Sequence, residues 1–290
     1  MNRMRYAFLL LGTVFFSTSS VSASAWTVLK DFNSGSNGSI AQGNSDAFSA
    51  GAMASVYSKE RTFEGGQSAE LNITQGSKGE GSWGGIIKFP QRLVKNDSLW
   101  VRLRVMMPRD FDFNAYGEGN RLKFLRIPTF EGSSNVDGLF LNWYLLKDGS
   151  AAPYGFIYGA EGVWSLFGSA LSVPIRESWD TYEWNITWSD IPAKNGGSAR
   201  IRAWKNGKRI ADISDMKTLA TARTTADSLY LFSYWNGGSP KTQKLWVDEI
   251  TLTTDKPSTK DDAGYPFLGV GEQGSLKPAP SPPSMFMKAE

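Results

Sequence analysis

The sequence predicts an all-β protein, folded as an antiparallel sandwich or barrel. Many short runs alternate apolar and polar residues with period two, and no stretch beyond the first twenty-five or so residues keeps a helical apolar period. The composition is rich in glycine (30) and tryptophan (11), residues that punctuate and fill β-structures. Turn-forming clusters separate the runs, with Asn206-Gly207 and Asn236-Gly237-Gly238-Ser239-Pro240 the clearest hairpin signals. No repeat of fixed length is visible, which argues against a propeller or solenoid.

In chain order, a first strand runs from Trp26 to Phe32 and enters a turn-rich region ending at Asn44. Strands are expected at Met53–Tyr57 and Ser68–Thr74, with Lys59-Glu60-Arg61-Thr62 a solvated turn between them. The Gly-rich run 76–85 has neither the Lys-Ser/Thr nor the following helix of a phosphate loop, so it reads as a mobile loop with Trp83 as a lid or rim. Leu99–Met107 places Val101, Leu103 and Val105 on one face, with Trp100, Arg102 and Arg104 on the other. Arg121–Ile127 alternates Leu122 and Phe124 with Arg121 and Lys123, Arg126 falls out of phase, and Pro128 marks an end or an edge. Leu139–Leu146 is apolar on both faces except for Asn142 and Tyr144, which share one. Tyr154, Phe156 and Tyr158 share a face of the next strand, and Trp164–Phe167 is a further short one. Tyr182–Trp188 and Ala199–Lys205 alternate cleanly, the second grouping Arg200, Arg202 and Trp204. Lys208–Ile213 completes a hairpin, and a short surface helix is expected over 215–221. The strand from Ser228 sets Leu229, Leu231 and Ser233 against Tyr230, Phe232 and Tyr234. In the closing strand, Leu245–Leu252, the alternation slips by one at Asp248-Glu249, which suggests a bulge or an edge. The total is about a dozen strands, more than a seven-stranded immunoglobulin-type sandwich needs.

Length and termini set the domain plan. Arg3 and Arg5, the apolar run Ala7–Phe16 and the small-residue site Ala23-Ser24-Ala25 form a secretory leader, too short in its apolar part to span a bilayer. Residues 1–25 are therefore expected to be removed near Ala25, sending the chain to the periplasm or outside the cell, with no membrane span. Residues 26–254 form one domain, and 255–290, with repeated prolines, read as a disordered tail or spacer. There is no cysteine, so the fold holds without disulfides.

The chain has no histidine either. Histidine-based triads, histidine or thiolate zinc sites and cysteine nucleophiles are excluded, and acid–base work falls to Tyr, Lys, Asp, Glu or Arg. The formal charge of +3 falls to about +1 when Arg3 and Arg5 leave with the leader, too little to call for nucleic acid. Pooling the non-aliphatic strand faces collects Arg102, Arg104, Arg121, Lys123, Asn142, Tyr144, Tyr154, Tyr158, Arg202, Trp204, Tyr230 and Tyr234. On one concave sheet these would make a cationic, aromatic groove. Rings stack on sugars and guanidinium groups pair with carboxylates or sulfates, so the expected partner is an anionic polysaccharide, bound by a monomer.

The opening Val28-Leu29-Lys30-Asp31-Phe32, the WVRLRV and RLKFLRI strands, YLFSYWNGG and the closing Leu245-Trp246-Val247-Asp248-Glu249-Ile250 together resemble the concanavalin A-like jelly-roll superfamily. Within it, residues 26–254 are most similar to jelly-roll polysaccharide lyases of the alginate and glucuronan lyase kind. The resemblance implies a two-sheet antiparallel jelly-roll sandwich and β-elimination from a uronate-containing polymer. Neither the Glu-x-Asp-x-x-Glu nor the Glu-x-Asp-x-Glu strand of the laminarinase-type hydrolases is present, which disfavours hydrolysis by a carboxylate pair. Many of the lyases use a histidine with a tyrosine, and this chain departs from that pattern. A tyrosine as both base and acid remains chemically workable if neighbouring cations lower its pKa from about 10. The candidates are Tyr230 or Tyr234 for the proton transfers, with Tyr144 second. Arg121, Lys123 or Arg126 would neutralise the carboxylate, and Asn142 is the amide partner. Arg102, Arg104, Tyr158, Arg202 and Trp204 are expected to bind substrate. Structural calcium is implied by the resemblance alone, with Asp31 and Asp248 as acidic ligands and Asn33 or a carbonyl adding oxygens. The open alternatives are a non-catalytic carbohydrate-binding protein on this scaffold and a structural matrix protein.

Overall fold

The structure, a computed structural model, describes residues 25–79, 81–114, 121–132, 134–156, 163–164 and 170–270. Of 134–140, 152–156 and 163–164 it describes the backbone alone. Residues 1–24 of the expected leader, Tyr158 and the tail after residue 270 lie outside the described residues.

Among the described residues, fourteen strands form two antiparallel sheets. They are β1 (Thr27–Lys30), β2 (Ser55–Ser58), β3 (Ser68–Ile73), β4 (Gly85–Leu93), β5 (Ser98–Met106), β6 (Arg121–Glu131), β7 (Ser134–Leu145), β8 (Ala151–Phe156), β9 (Val163–Trp164), β10 (Trp179–Thr187), β11 (Ala199–Lys205), β12 (Lys208–Met216), β13 (Thr224–Asn236) and β14 (Gln243–Thr253). The large sheet runs β12-β11-β10-β5-β14-β3-β2, with β1 also on β14, and the small sheet runs β4-β13-β6-β7-β8-β9. This is the jelly-roll sandwich that the alternation and the resemblance predicted. Among the described residues no helix is long and apolar enough to cross a membrane.

The two sheets meet through the aliphatic faces read from the sequence. Val101, Leu103 and Val105 of β5 and Tyr182, Trp184 and Ile186 of β10 are buried against Leu122, Phe124 and Leu125 of β6 and Leu229 and Leu231 of β13. Phe124 is the centre of this layer. It stacks on Phe232 at 4.6 Å between ring centroids and meets Tyr182 and Trp184 edge-on at 4.9 and 5.2 Å. Each such pair adds about 0.5–1.5 kcal/mol beyond the area it buries.

Phe232 corrects the alternation read for β13. The sequence sets it beside Tyr230 and Tyr234, but it lies fully buried in the core. At Phe232 the backbone takes φ +47°, and the register against β6 slips between Leu231 and Tyr234. The extra residue turns one ring inward while both tyrosines stay on the opposite face. Likewise β6 slips against β7 between Lys123 and Leu125, which brings the out-of-phase Arg126 onto the face of Lys123. The slip at Asp248-Glu249 is also a bulge: Glu249 has φ +43° and β14 loses register with β5 there. It falls where the neighbour of β14 changes from β3 to β1.

Three local readings change. Strand β4, unmarked in the sequence because it carries Pro90, is an edge strand of the small sheet, where a missing N–H is tolerated. The expected helix over 215–221 is absent, and Asp215 and Met216 end β12. Trp83 is no lid: it is fully buried, edge-on to Trp235 at 6.4 Å. The Gly-rich loop carrying it lies against β13, and a Cβ on Gly84 would come within 2.3 Å of the Leu231 carbonyl oxygen.

The segment 255–270, expected to be part of a spacer, is instead a strap packed on the outer face of the large sheet. Phe267 stacks on Trp204 at 5.6 Å, Trp204 donates to Asp261 at 3.0 Å, and Trp100 donates to the Pro266 carbonyl at 3.2 Å.

Candidate functional site

The face of the small sheet turned away from the core carries the candidate site. Its geometry follows from strand register. Arg126 of β6 is paired with Tyr230 of β13 on one side and with Asn142 of β7 on the other, and Asn142 is paired with Tyr154 of β8. A second rung joins Tyr234, Lys123 and Tyr144, and a third joins Asn236 to Arg121. Residues of β13, β6 and β7 are thus brought onto one surface, as side chains of paired residues share a face.

The side chains interlock. The Lys123 ammonium lies 4.4 Å from the Tyr234 ring centroid, and the Arg126 guanidinium carbon lies 6.0 Å from the rings of both Tyr230 and Tyr234. Arg121 approaches the Tyr144 ring at 5.9 Å. Arg126, Asn142 and Tyr144 are buried, while Tyr230, Tyr234, Lys123 and Arg121 are half-buried. The result is a cationic floor with phenol groups rising beside it. Cation–π contact of this kind contributes about 0.5–2 kcal/mol per pair and holds a long side chain in a fixed place.

The arrangement can recognise an anionic sugar and can move a proton. Guanidinium, ammonium and amide donors on the floor can receive a carboxylate. The two tyrosines provide O–H groups that can donate or, once ionised, accept.

The other half of the expected groove lies elsewhere. Arg102 and Arg104 on β5, and Arg202 and Trp204 on β11, belong to the large sheet and face the strap. Arg102 donates to the Gly269 carbonyl at 3.1 Å and Arg104 donates to the Val270 carbonyl. The Arg202 guanidinium carbon lies over the Tyr265 ring, 3.8 Å from its centroid. Pooling every polar strand face ignored which sheet each strand joins, and these four residues are corrected to structural partners of the strap. Tyr265, Phe267 and Asp261 went unmarked because the prolines around them masked an ordered segment.

Of the two acidic residues expected at a calcium site, Asp248 is buried and Asp31 is exposed. Asp248 accepts the backbone N–H groups of Phe63 at 3.1 Å and Glu249 at 2.8 Å. Burial, helped by the neighbouring carboxylates of Glu249 and Asp31, pushes its carboxyl up to about 8 despite those bonds. Asn33 uses its side-chain oxygen to accept from the Gln67 N–H at 2.8 Å. Among the described residues no group of three or more acidic side chains gathers as a metal site. The two carboxylates are nevertheless hard oxygen donors, the kind that calcium takes.

No known protein family's sequence pattern matches the chain, and no curated protein sequence matches it. Solved structures do. A double mutant of alginate lyase Aly36B in complex with alginate trisaccharide aligns over 78% of this chain and 97% of its own, with TM-score 0.54 and 15% identity. The endo-β-1,4-glucuronan lyase from the fungus Trichoderma reesei aligns over 78% and 94%, with TM-score 0.52 and 10% identity. Alginate lyase vAL-1 from Chlorella virus aligns over 68% and 88%, with TM-score 0.50 and 14% identity. At these identities the likeness is one of fold: the chain has the jelly-roll fold of these polysaccharide lyases.

Proposed function

We propose that this protein is a polysaccharide lyase that cleaves a uronate-containing polymer by β-elimination in the groove of the small sheet. The observation that carries the reading is Arg126, seated between Tyr230 and Tyr234 with Lys123 and Asn142 beside it. The fold it shares with alginate and glucuronan lyases supports it.

The chemistry follows from the groups present. Arg126, Lys123 and the Asn142 amide hold the uronate carboxylate, withdraw its charge and make the C5 proton more acidic. A tyrosinate at Tyr230 or Tyr234 takes that proton. The C5–H electron pair becomes the C4–C5 double bond, and the C4–O bond breaks with its electrons on the leaving oxygen. That oxygen receives a proton from a tyrosine hydroxyl. No water is consumed, so the histidine-free, carboxylate-poor face suffices. Arg121 and Tyr144 extend the surface to a neighbouring sugar, the arginine binding a carboxylate and the ring covering an apolar sugar face.

On this reading the protein is exported by its leader and works as a monomer outside the cytoplasm, where such polymers occur. Calcium held by Asp31 and Asp248 would be structural, joining the first and last strands away from the groove. Its test is the melting temperature, which should rise with added calcium in the wild type and stay fixed in Asp248→Asn.

The activity is tested by incubating the mature protein with alginate, glucuronan, ulvan and glycosaminoglycans and weighing the products by mass spectrometry. Unsaturated oligosaccharides, each lighter than the hydrolysis product by one water, are expected from at least one polymer. Retention on immobilised polymer with no cleavage would replace the lyase by a carbohydrate-binding protein, and neither result would end the polysaccharide reading.

A further inference from the structure

The strap and the outer face of the large sheet enclose a set of charged groups that the proposed reaction does not use. At their centre is Glu183 of β10, 2% exposed, in register with Arg102 of β5 and with Trp204 of β11. Its Oε2 accepts the Gly269 N–H at 3.0 Å, and Arg102 donates to the carbonyl of the same residue at 3.1 Å. One residue of the strap, Gly269, is thus held through both its N–H and its carbonyl by two neighbouring side chains of the sheet. Arg104 holds the next carbonyl, that of Val270. The other charged groups on this face are engaged with one another: Arg104 with Glu249 at 3.3 Å, and Arg202 with Asp212 at 3.4 Å. Lys205 and Asp180, paired at 3.0 Å, share the opposite face of the sheet with Tyr182 and Val105. From the strap the neighbouring side chains are Tyr265, on the Arg202 guanidinium, and Asp261, on Arg209 at 3.3 Å. Among the described residues, Glu183 is the acid that accepts from Gly269.

We propose that Glu183 is a proton-operated clamp: it keeps the strap 255–270 docked on the large sheet in acid and lets it loosen as the pH rises through neutrality. The two-sided grip on Gly269 gives the clamp its geometry, and the composition of the chain gives it its range. With no histidine and no cysteine, the ordinary groups that titrate near neutral pH are missing. Glu183 supplies what they do not. Burial, only partly opposed by Arg102 and by the Gly269 and Leu268 N–H groups, lifts its carboxyl from 4.5 to about 7.

The direction follows from linkage. The docked strap keeps the carboxyl out of water and therefore protonated. Undocking restores solvent and an ordinary carboxylate. A pKa raised in the docked state favours docking at low pH, and the advantage is lost as the pH rises through about 7. Between pH 5 and pH 8 the docking constant should fall by roughly seventyfold. The arginines on this face stay charged throughout, and Asp248, the other strongly raised acid, contacts Phe63 and Glu249 rather than the strap.

The test is deuterium exchange of the strap amides in the whole protein from pH 5 to pH 8, corrected for the intrinsic pH dependence of exchange. The wild type should show corrected exchange over 255–270 rising by tens-fold, and Glu183→Gln should show a flat profile. A flat wild-type profile, or the same slope in Glu183→Gln, overturns the proposal. Phe267→Leu weakens the strap without touching the carboxyl, so it keeps the question decidable if Glu183→Gln does not fold. It should exchange faster at every pH with the wild-type slope, and a lost slope in a still-protected strap also overturns it.

Discussion

Arg126 of β6 and Tyr230 of β13 are direct partners in the small sheet, with the guanidinium carbon 6.0 Å from the ring centroid. The relationship depends on the β6 slip near Phe124, which brings Arg126 onto the polar face although the simple alternation assigns it to the core. A buried guanidinium beside a phenol is suited to hold a carboxylate next to a proton acceptor. Arg126→Ala should therefore lower kcat/KM on the cleaved polymer by about 10²–10³-fold, the range for loss of one charge-stabilising donor. Arg126→Lys should recover only part of it, because an ammonium lacks the planar fork. Steady-state kinetics on both variants, with unchanged circular dichroism, checks this.

Tyr230 and Tyr234 share Arg126, so their hydroxyls are separable by substitution. The tyrosine that takes the C5 proton should lose kcat by at least about 10²-fold as Phe with little change in KM. The other should mainly raise KM. Equal, small losses in both would show that neither moves the proton.

Phe232 tests the fold. It stacks on Phe124 in the centre of the sandwich, and its inward turn needs the bulge. Phe232→Ala should destabilise the protein by about 3–5 kcal/mol in denaturant titration. A surface Phe232, as the simple alternation requires, would cost far less.

The outer face predicts stability effects without binding effects. Trp204→Ala removes the partner of Phe267 and the donor to Asp261 and should cost about 3–5 kcal/mol. Retention of the folded variant on immobilised polymer should equal that of the wild type. Weaker retention would return Trp204 to the binding surface.

Glu183 also predicts the pH dependence of global stability. Its pKa is about 7 in the folded protein against an ordinary 4.5. Its contribution is therefore fully present below the ordinary value and lost as the pH rises through the folded one. The loss across that window is about 3 kcal/mol. Denaturation of Glu183→Gln should lack this component of the pH profile.

The strand faces were legible wherever alternation was regular: Val101, Leu103 and Val105 of β5 and Tyr182, Trp184 and Ile186 of β10 point into the core as the sequence indicates, and Trp100 and Trp204 take the other face with the arginines. The bulge at Asp248-Glu249 was legible because it shifts a clear alternation. The turn of Phe232 was not, since one aromatic among tyrosines fits either face. Arg126, Lys123, Asn142, Tyr144, Tyr230 and Tyr234 could be gathered from the sequence. Their separation from Arg102, Arg104, Arg202 and Trp204 could not, because period two tells which face a residue takes and not which sheet its strand joins. The strap escaped for a different reason. Its order comes from Phe267 on Trp204 and Tyr265 on Arg202, long-range contacts that local composition does not carry.

The most direct measurement is the ultraviolet absorbance of the conjugated C4–C5 double bond during incubation of the wild type and Arg126→Ala with the uronate polymers. A steady rise with one polymer for the wild type, reduced by about 10²-fold or more in the variant, is the predicted result. No rise with any uronate polymer, or an equal rise in both proteins, would contradict elimination in the groove around Arg126.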